Sequence, residues 1–588
     1  MIDLGDVVAV DIETTGLEWQ DRVLSISMAK YDESGEPEVG FINMGYWQEA
    51  NLFGLMGASD DAADVAIVPE TPPSAREAFL GFVGNKRWLV FHNGSFDIPY
   101  LVRLGVITED ELYNHYHVFD TMVMARAIGP HDAVSLFALC QEEGIGVGDE
   151  RWLAAKGKRA HLEDLPYDEF RYYSEVDALY TLELVATMLH AVFQIYPDGQ
   201  LVDEESEWVK IVAMMRYYGL RVNREALVTR KGELNEEIQR LRHDLQPTGI
   251  KSGSDKTGIV RWAEKAGIAS FLRRTAKGNI STDEQSFEGL RAYPSFDGKV
   301  AETIERIAAL RAAEKAHSTW VVGTEKRLCS AGRVHPSFTA SGTISNRLRC
   351  SKPAAQAYPK EYRMFVATEG RELWEIDWSQ AEIRIAAMFS RSLKFARIFQ
   401  DPEADPHMDT AIEMFGKDAD RSHRRLAKAA NFGSLYGAGP KVISQTTGLP
   451  EPQSKQLLND HRRAFPMLSK ASKRAQKAWE ERGFLKLLGG KRSYASKSDL
   501  ERSYKAFNAL IQGSVAELIK KAMVQIRKEC PEATLVSQVH DSVWIEVPAG
   551  RRDIVDSAAR IMRDAVPAYV RELTDPQIDM AVDAERIG

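Results

Sequence analysis

The sequence predicts two regions of different fold class, an α/β region over about residues 1–198 and an α+β region over 199–588. In the first third, short apolar strand-like runs alternate with helical patterns, which is typical of an α/β fold. YPDGQ (196–200) then supplies the proline and glycine of a linker. Beyond it, long amphipathic helices surround only a few strands. A chain of 588 residues has room for at least two domains of this kind.

The first region opens with strands. VVAVDIE (7–13) and VLSISMAKYD (23–32) are joined by a TTGL turn, and WLVFHN (88–93) predicts a third strand that leads into a helix from Asp97. Apolar residues at helical spacing predict a long helix over about 168–193. Strands and helices in alternation therefore predict a sheet covered by helices.

The second region is mostly helical. Its predicted elements are helices over 203–246 broken at YYGLRVN, a polar tip at KSGSDKTG (251–258), a helix over 300–328, strands around WEIDWS (374–379), helices over most of 395–525 with breaks at GLPEP and LLGGKRSY, a hairpin at 533–548 and a final helix. The second region therefore has two strand-rich segments, with the predicted helices of 395–525 between them in sequence.

Composition limits the class of protein. The chain is 44% hydrophobic and 27% charged, which is ordinary for soluble globular protein. The sequence contains no run of about 18 apolar residues, which a membrane span would need, and the N-terminus lacks the pattern of a secretory signal. The four cysteines are scattered, without a CxxC pair, as expected of reduced thiols in a cytoplasmic protein.

Charge is distributed unevenly along the chain. The net charge is −10, yet residues 1–80 hold 16 acids and 3 bases, and residues 421–500 hold 17 bases and 5 acids. A polyanion responds to the local field rather than to the average. The basic segment is therefore a candidate nucleic-acid surface, although a solvated basic helix face would give the same count.

Three motifs in the first region bring carboxylates together. Asp11 and Glu13 lie two apart on a predicted strand and so point to one side. Asp97 follows a strand, and Tyr173 and Asp177 are one helical turn apart. Each motif alone is common in structural positions. Together they have the oxygen ligands that two divalent cations need for phosphodiester hydrolysis, with Tyr173 placed to hold the attacking water.

Three further motifs lie in the second region. Asp377 in DWSQAEIR and Asp541 in VHDS are acids within the two predicted strand segments. Between them, four residues recur at every fourth position, which on a helix makes a stripe that winds by about 40° per step. Two cations followed by two aromatic rings suit a triphosphate, then a sugar and base. The four are Arg424, Lys428, Phe432 and Tyr436.

The acidic motifs of the first region resemble the DEDD group of 3′–5′ exonucleases, in the variant with a tyrosine in the last motif. The resemblance implies a ribonuclease H-like α/β domain over residues 1–198. All five family positions are filled, so an active site is expected. HNGSFD resembles the second motif of that family, which implies that Asn93 and Phe96 contact the strand end.

From about residue 201 to 588 the chain resembles family A DNA polymerases. The resemblance implies a right-hand α+β domain over 199–588, with thumb about 201–330, palm about 331–400 and 505–588, and fingers about 401–504. It implies template-directed DNA synthesis with 3′–5′ proofreading, and Mg²⁺ as cofactor, two ions per active site, with Mn²⁺ able to substitute. The expected partners are primer–template DNA, dNTPs and possible replisome proteins such as a helicase, for a monomer without a membrane.

The resemblance also implies roles around the catalytic acids. Asp377 would bind both metals, the Trp378 carbonyl one of them, and Asp541 would be the second carboxylate. Glu382 matches the glutamate that crowds a ribose 2′-OH and so favours deoxynucleotides. His540 would lie next to the primer end. Arg384 is expected to support the site rather than touch substrate.

The resemblance also implies roles in nucleotide binding for residues in and near the basic segment. Arg424 and Lys428 would neutralise phosphate charge. Phe432 would stack on the incoming base and sugar, and as phenylalanine it suggests discrimination against dideoxynucleotides. Tyr436 would lie beside the templating base, and His407 near the β-phosphate.

Further positions match residues along the DNA path of the family. Arg347 and Gln356, in RVHPSFTASGTISNRLRCSKPAAQ, match positions that track the minor groove, and Asn508 and Gln512 match residues near template and primer. Contacts of this kind position DNA without reading its sequence. Lys251 and Lys256 either contact duplex phosphates from the thumb or belong to a plain solvated loop.

Three residues depart from the family pattern. Ser542 replaces the usual glutamate after the motif C aspartate, which leaves the local hydrogen-bond network open. Trp378 replaces a tyrosine, and Ala381 replaces a common isoleucine. The smaller Ala381 suggests looser packing near the nascent base pair, and hence a site adapted to a modified base.

Several functions share these features. A compact exonuclease–polymerase without a preceding 5′-nuclease domain is expected of a phage replicative polymerase, in the cytoplasm of an infected bacterium. The alternatives are a repair or lesion-bypass polymerase, or an exonuclease with an inactive polymerase scaffold, for which Ser542 is the only support. A single-subunit RNA polymerase shares the metal aspartates, but Glu382 and the exonuclease motifs argue against it.

Overall fold

A computed structural model describes residues 2–44, 73–157, 159–275, 277–283, 286–287, 298–341, 346–401, 405–574 and 576–587. Its N-terminal part is built on a five-stranded mixed sheet of order β3-β2-β1-β4-β5. The hairpin β1–β2–β3 is antiparallel, whereas β4 runs parallel to both β1 and β5. The strands are β1 Val7–Thr14, β2 Val23–Tyr31, β3 Pro37–Asn43, β4 Trp88–Phe91 and β5 His117–Asp120.

Strand β1 explains how the sheet presents its acids. Residues 7–10 are apolar and buried on both faces, and burial then alternates over the last four residues. Asp11 and Glu13 occupy the two less buried positions of that alternation, opposite Ser27 and Ser25 of β2. Both carboxylates therefore leave the sheet on one side.

Within the described part of the chain, seven α-helices follow or cover this sheet. The long helix α7 packs across β1 and β2 and also contacts β3 and β4. The N-terminal helices are α1 Pro73–Val83, α2 Ile98–Arg103, α3 Glu109–Asn114, α4 Thr121–Ile128, α5 Leu136–Glu143, α6 Glu150–Lys156 and α7 Tyr167–Ile195.

Helix α7 corrects one expectation from the sequence. Among the described residues it is the one helix long and apolar enough, by length and composition, to cross a membrane. The sequence had predicted no such segment. Its apolar residues face the sheet, and its buried side includes Tyr173 and Asp177 of the candidate site. Packing against the sheet accounts for its hydropathy.

Helix α8 (Gln200–Tyr218) joins the two regions. It packs on α2 and β5 of the N-terminal part and on strand and helix elements of the C-terminal part. Its Glu205 is buried and paired with two buried lysines, Lys491 at 2.6 Å and Lys520 at 3.3 Å. Breaking one partner of a buried pair costs about 3–5 kcal/mol, so this cluster anchors α8 to the C-terminal part.

The next helices share a second apolar core with residues of the C-terminal sheet, among them Leu373, Val536 and Trp544. Lys251 and Lys256 are exposed at the turn where α10 begins, and Asp255 caps that helix through the Gly258 amide. The helices are α9 Arg224–Leu245, α10 Lys256–Lys265, α11 Gly298–Lys315 and α12 Gly323–Glu325, with a π-helical turn at Ala316–Val322 before α12.

The C-terminal part is built on a four-stranded antiparallel sheet of order β13-β14-β10-β15. Asp377 on β10 lies opposite Ser542 on β14 and Asp583 on β15. The sequence predicted β10, β13 and β14 but not the edge strand β15. The strands are β6 Leu220–Arg221, β7 Arg333–Val334, β8 Ser337–Thr339, β9 Arg349–Ser351, β10 Arg371–Trp378, β11 Phe484–Lys486, β12 Arg492–Tyr494, β13 Thr534–Val539, β14 Ser542–Pro548 and β15 Val582–Ile587.

The helices predicted over most of 395–525 lie between β10 and β13. The central helix, α16, begins at a capping box formed by Asp420 and His423. The helices between β10 and β13 are α13 Ala381–Ser390, α14 Leu393–Ile398, α15 Pro406–Phe415, α16 Arg421–Tyr436, α17 Pro440–Thr447, α18 Glu451–Ala464, α19 Pro466–Arg482, α20 Lys497–Leu500 and α21 Ala506–Glu529. After β14 follow α22 Arg552–Asp564 and α23 Ala568–Arg571.

Two candidate active sites

The N-terminal site is a cluster of three carboxylates. One oxygen each from Asp11, Glu13 and Asp177 lies within 4.8 Å of the others. Strand β1 supplies the first two and helix α7 the third, as the spacing of the motifs predicted. Oxygen ligands at this separation suit hard divalent cations. The donor set therefore fits the expected metal.

Asp97, at the start of α2, completes the predicted set from a buried position. Its Oδ1 accepts a hydrogen bond from the Ile12 amide at 3.1 Å, which ties it to strand β1. Burial, and next the charge of Asp11, raise the pKa of Asp97 well above its usual value. A cation bound here would offset this crowding of negative charge.

A buried acid that the sequence analysis missed holds the turn before Asp97. Asp120, at the end of β5, accepts hydrogen bonds from the amides of Asn93 at 3.3 Å and Gly94 at 2.7 Å. Burial raises the pKa of Asp120 to about 6. Asn93 has a left-handed backbone with φ of 73°. In the sequence, Asp120 is only an acid at the end of a strand, a feature too common to indicate a function.

Tyr173 and Asp177 lie one turn apart on α7, as predicted, and both are buried. Tyr173 has no exposed surface, so its predicted contact with the attacking water stays a prediction. A second missed residue covers this side of the site. The Trp152 indole Nε1 donates a hydrogen bond to Asp177 Oδ1 at 2.6 Å.

The C-terminal site places Asp377 and Asp541 on neighbouring elements. Asp377 lies near the end of β10, Asp541 lies in the turn between β13 and β14, and the Trp378 amide donates to the Asp541 carbonyl at 3.3 Å. Burial and the charge of Asp541 raise the pKa of Asp377 to about 6, with Glu375 and Asp583 contributing less. Oδ1 of Asp541 is buried and accepts no hydrogen bond from any residue that the structure describes. This arrangement fits a bound cation.

Ser542, the departure after Asp541, has a partner that the sequence analysis did not identify. Its hydroxyl donates to Glu375 Oε1 at 2.8 Å. Glu375 Oε2 is in turn 3.3 Å from Arg363 Nη1. The network around the second aspartate is thus built on a glutamate that strand β10 supplies two residues before Asp377.

Glu382 is held between two residues that were predicted to contact DNA. Arg347 Nη2 donates to Glu382 Oε1 at 2.6 Å, and the Tyr436 hydroxyl donates to Glu382 Oε2 at 2.7 Å. Burial and the bond to Glu382 raise the pKa of Tyr436. The chain of three closes the space beside the catalytic acids. Residues 342–345 of the segment that leads to Arg347 lie outside the described residues.

The predicted stripe on α16 is present, since all four residues lie on one helix. Arg424 is paired with Asp405, which also caps α15 through the His407 and Met408 amides. Lys428 is exposed. The Phe432 ring lies 5.6 Å from those of Tyr436 and His407. The cationic and aromatic halves of the stripe are therefore in the predicted order.

His407 is part of a buried polar network behind this stripe. Asn431 Nδ2 and His407 Nδ1 are 3.2 Å apart, and Asn431 Oδ1 is 2.8 Å from His461 Nε2 on α18. Burial lowers the pKa of both histidines to about 4, so both rings are neutral at pH 7.

The remaining predicted contacts line the same side of the C-terminal sheet. Gln356 Nε2 donates to the Gln538 carbonyl on β13 at 2.9 Å. His540, before Asp541, is exposed with a left-handed φ of 55°. Asn508 and Gln512 are half-buried on α21, and Oδ1 of Asn508 is buried without a hydrogen bond from the described residues.

Arg384 is engaged with backbone carbonyls, as expected of a supporting residue. Its guanidinium donates to the backbone carbonyls of Ser379 at 3.0 Å and Asp579 at 2.7 Å. The side chain is buried and lies over the Phe399 ring. Arg384 thereby ties the start of α13 to the segment that leads into β15.

Relatives of the chain are found along its whole length. It is 27% identical to DNA polymerase I of Chloroflexus aurantiacus over 82% of this chain and 53% of that protein. It is 25% identical to DNA polymerase I of Pseudomonas aeruginosa over 96% of this chain and 61% of that protein. The chain thus spans about half the length of such relatives.

A solved structure shares the fold. The polymerase domain of Pol1 from M. smegmatis, in a complex with DNA primer-template and dNTP, superposes with a TM-score of 0.76 at 18% identity, over 98% of this chain and 94% of that one. The expected fold class, an α/β domain followed by an α+β domain, is confirmed.

Family models match both regions. Residues 3–192 match the 3′–5′ exonuclease model, and residues 220–585, more than half of the chain, match the model of DNA polymerase family A. These matches agree with the two sets of acids described above. The chain therefore belongs to DNA polymerase family A and carries a 3′–5′ exonuclease domain.

Proposed function

We propose that this chain is a template-directed DNA polymerase with a 3′–5′ proofreading exonuclease. The observation that carries the proposal is the presence of two separate acidic sites, one faced by the cationic and aromatic stripe of α16 and one without it. The domain limits we propose are 1–198 for the exonuclease and 199–588 for the polymerase, with thumb, palm and fingers as given above.

In the polymerase site, this chain's residues would bind and orient the substrates. Arg424 and Lys428 hold the triphosphate and neutralise its charge, and Phe432 stacks on the base and sugar. The carboxylates of Asp377 and Asp541, with the Trp378 carbonyl, are the metal ligands. Arg347, Gln356, Asn508, Gln512 and His540 position the primer–template.

In the exonuclease site, Asp11, Glu13, Asp97 and Asp177 are the metal ligands and Tyr173 orients the attacking water. Two divalent cations at each site, Mg²⁺ with Mn²⁺ able to replace it, supply Lewis-acid stabilisation of charge on the reacting phosphate. Burial of Asp97 and Asp177 keeps these ligands in place before substrate arrives.

A replicative role of the phage type, in the cytoplasm of a bacterial host, is the finer part of the proposal. Its support is that every exonuclease position is filled, which favours fidelity. Helicase and other replisome proteins would be its partners, and we propose a monomer. Ser542, the only support for an inactive polymerase scaffold, has a carboxylate partner in Glu375, which weighs against that alternative.

Primer extension tests the proposal. A labelled primer–template with Mg²⁺ is incubated with all four dNTPs, with none, and with rNTPs. We expect extension with dNTPs and shortening without them. Asp541→Ala should reduce only the rate of extension, and Asp11→Ala only the rate of shortening, each by about 1,000-fold or more. Shortening without extension would instead support the inactive scaffold.

A further inference from the structure

The contact between Trp152 and Asp177 has a geometry unlike that of an ordinary core tryptophan. Trp152 is 2% exposed, and its ring lies between Phe137 at 5.5 Å and Tyr180 at 4.8 Å, the latter edge-to-face at 86°. Tight packing of this kind restricts rotation of the indole. In the observed orientation Nε1 donates to Asp177 Oδ1 at 2.6 Å.

Helix α6, which carries Trp152, is itself fastened to α7. Asp149 Oδ1 accepts from the Trp152 amide at 3.0 Å. Asp149 Oδ2 accepts from the hydroxyls of Tyr172 and Tyr180, each at 2.8 Å. Both tyrosines belong to α7, the helix of Asp177. The indole and the carboxylate are therefore held by the same pair of helices.

Two other buried tryptophans donate the indole N–H to backbone carbonyls. Trp208 donates to the Ala340 carbonyl at 3.0 Å, and Trp378 donates to the Met562 carbonyl at 2.9 Å. A buried indole usually finds such a partner. Trp152 instead donates to a carboxylate that belongs to the candidate metal cluster.

We propose that Trp152 is a positioning residue of the exonuclease site, which fixes the orientation of the Asp177 carboxylate as a ligand of the metal it would hold. The inference rests on the proposed exonuclease function. A donor to one oxygen restricts rotation of the carboxylate, and outer partners of this kind set the affinity of a metal site. The indole is neutral at every working pH, so it orients Asp177 without competing as a charge.

Removing the donor tests the role. Trp152→Phe keeps an aromatic ring and deletes the N–H. We expect shortening of the primer to slow by about 10- to 100-fold, with a higher Mg²⁺ concentration at half-maximal rate. Extension by the same preparation measures the folded fraction. Trp479→Phe is the matched control, because its buried Nε1 donates to no residue that the structure describes. Tyr180→Phe removes one hydrogen bond between α6 and α7 and keeps the indole N–H, so it tests the contact between these helices alone.

A spectroscopic measurement does not depend on activity. In full-length protein labelled with 5-fluorotryptophan, the ¹⁹F resonance missing from Trp152→Phe belongs to Trp152. We expect Mn²⁺ to broaden that resonance, and Asp177→Asn to shift it and weaken the broadening.

Two results would overturn the proposal: a Trp152→Phe protein with wild-type shortening and Mg²⁺ dependence, or a Trp152 resonance unaffected by both Mn²⁺ and Asp177→Asn. If the proposed exonuclease activity is itself absent, wild-type and Asp11→Ala proteins shorten the primer equally little. The resonance still reports on the Trp152–Asp177–metal contact in that case.

Discussion

The two acidic sites differ in how complete they are without substrate. In the N-terminal site the carboxylates lie within 4.8 Å of one another, and buried neighbours hold Asp97 and Asp177 from behind. In the C-terminal site, side chains that would bind substrate are instead engaged in pairs within the protein. Arg424 is bound to Asp405, and Glu382 is bound to Arg347 and Tyr436.

This difference in preorganisation suits the two proposed activities. The proposed exonuclease site accepts any strand end, so it gains from carboxylates that are in place before substrate binds. The proposed polymerase site must discriminate between nucleotides. A nucleotide that replaces the internal pairs with its own contacts can be selected at that step. We therefore expect changes in the C-terminal pairs to alter selectivity more than basic chemistry.

Glu382→Ala gives the largest expected effect on that selectivity. Loss of the side chain frees Arg347 and Tyr436 and opens the space that a 2′-OH would occupy. The preference for dNTPs over rNTPs, as a ratio of kcat/KM, should fall about 100-fold. Glu382→Gln keeps the bulk and removes the charge. If that control loses the same preference, charge rather than crowding is responsible.

Glu375 tests the network behind Asp541. Glu375→Ala removes the partner of Ser542 and of Arg363, and we expect kcat/KM for extension to fall about 10-fold with shortening unchanged. Glu372→Ala, on the same strand, is the matched control, since Glu372 pairs with Arg586 at 3.1 Å at the other end of β10. Equal losses in the two variants would contradict a specific role of Glu375.

Ala381 tests whether the C-terminal site is adapted to an unusual base. It is fully buried at the start of α13, so Ala381→Ile should crowd the site next to Glu382. We expect the ratio of adenine to 2-aminoadenine nucleotide incorporation to change about fivefold, equivalent to ~1 kcal/mol. Equal ratios in the wild type and the variant would end this hypothesis.

The smallest expected effect is the change in stability on substitution of Asp377. Burial and Asp541 raise its pKa to about 6, so the folded protein holds a proton between pH 4 and 6 that the unfolded chain releases. The stability due to this group therefore falls as pH rises through that range. Without divalent cations at pH 7, Asp377→Asn should raise the apparent Tm by about 1–2 °C, after allowance for solvent screening. The gain should vanish near pH 4; a gain that persists there would contradict the charge argument.

The placements that the sequence predicted and the structure reproduces are those that follow from local periodicity. Alternation on β1 placed Asp11 and Glu13 together, and fourfold spacing placed the stripe on α16. Trp152, Asp120 and Glu375 were missed because each acts through a contact with a residue distant in sequence. Strand β15 was missed for the same reason, since its place beside β10 depends on the sheet rather than on its own polar sequence.

A mispaired primer end tests most directly whether the two sites act in sequence on one DNA. The chain is bound to a primer with a 3′ mismatch, and dNTPs, Mg²⁺ and a trap for free enzyme are added together. We expect the wild type to remove the mismatch and then extend within one binding event, and Asp11→Ala to stall at the mismatch. A wild type that extends the mismatch intact, as fast as Asp11→Ala does, would contradict proofreading by this chain.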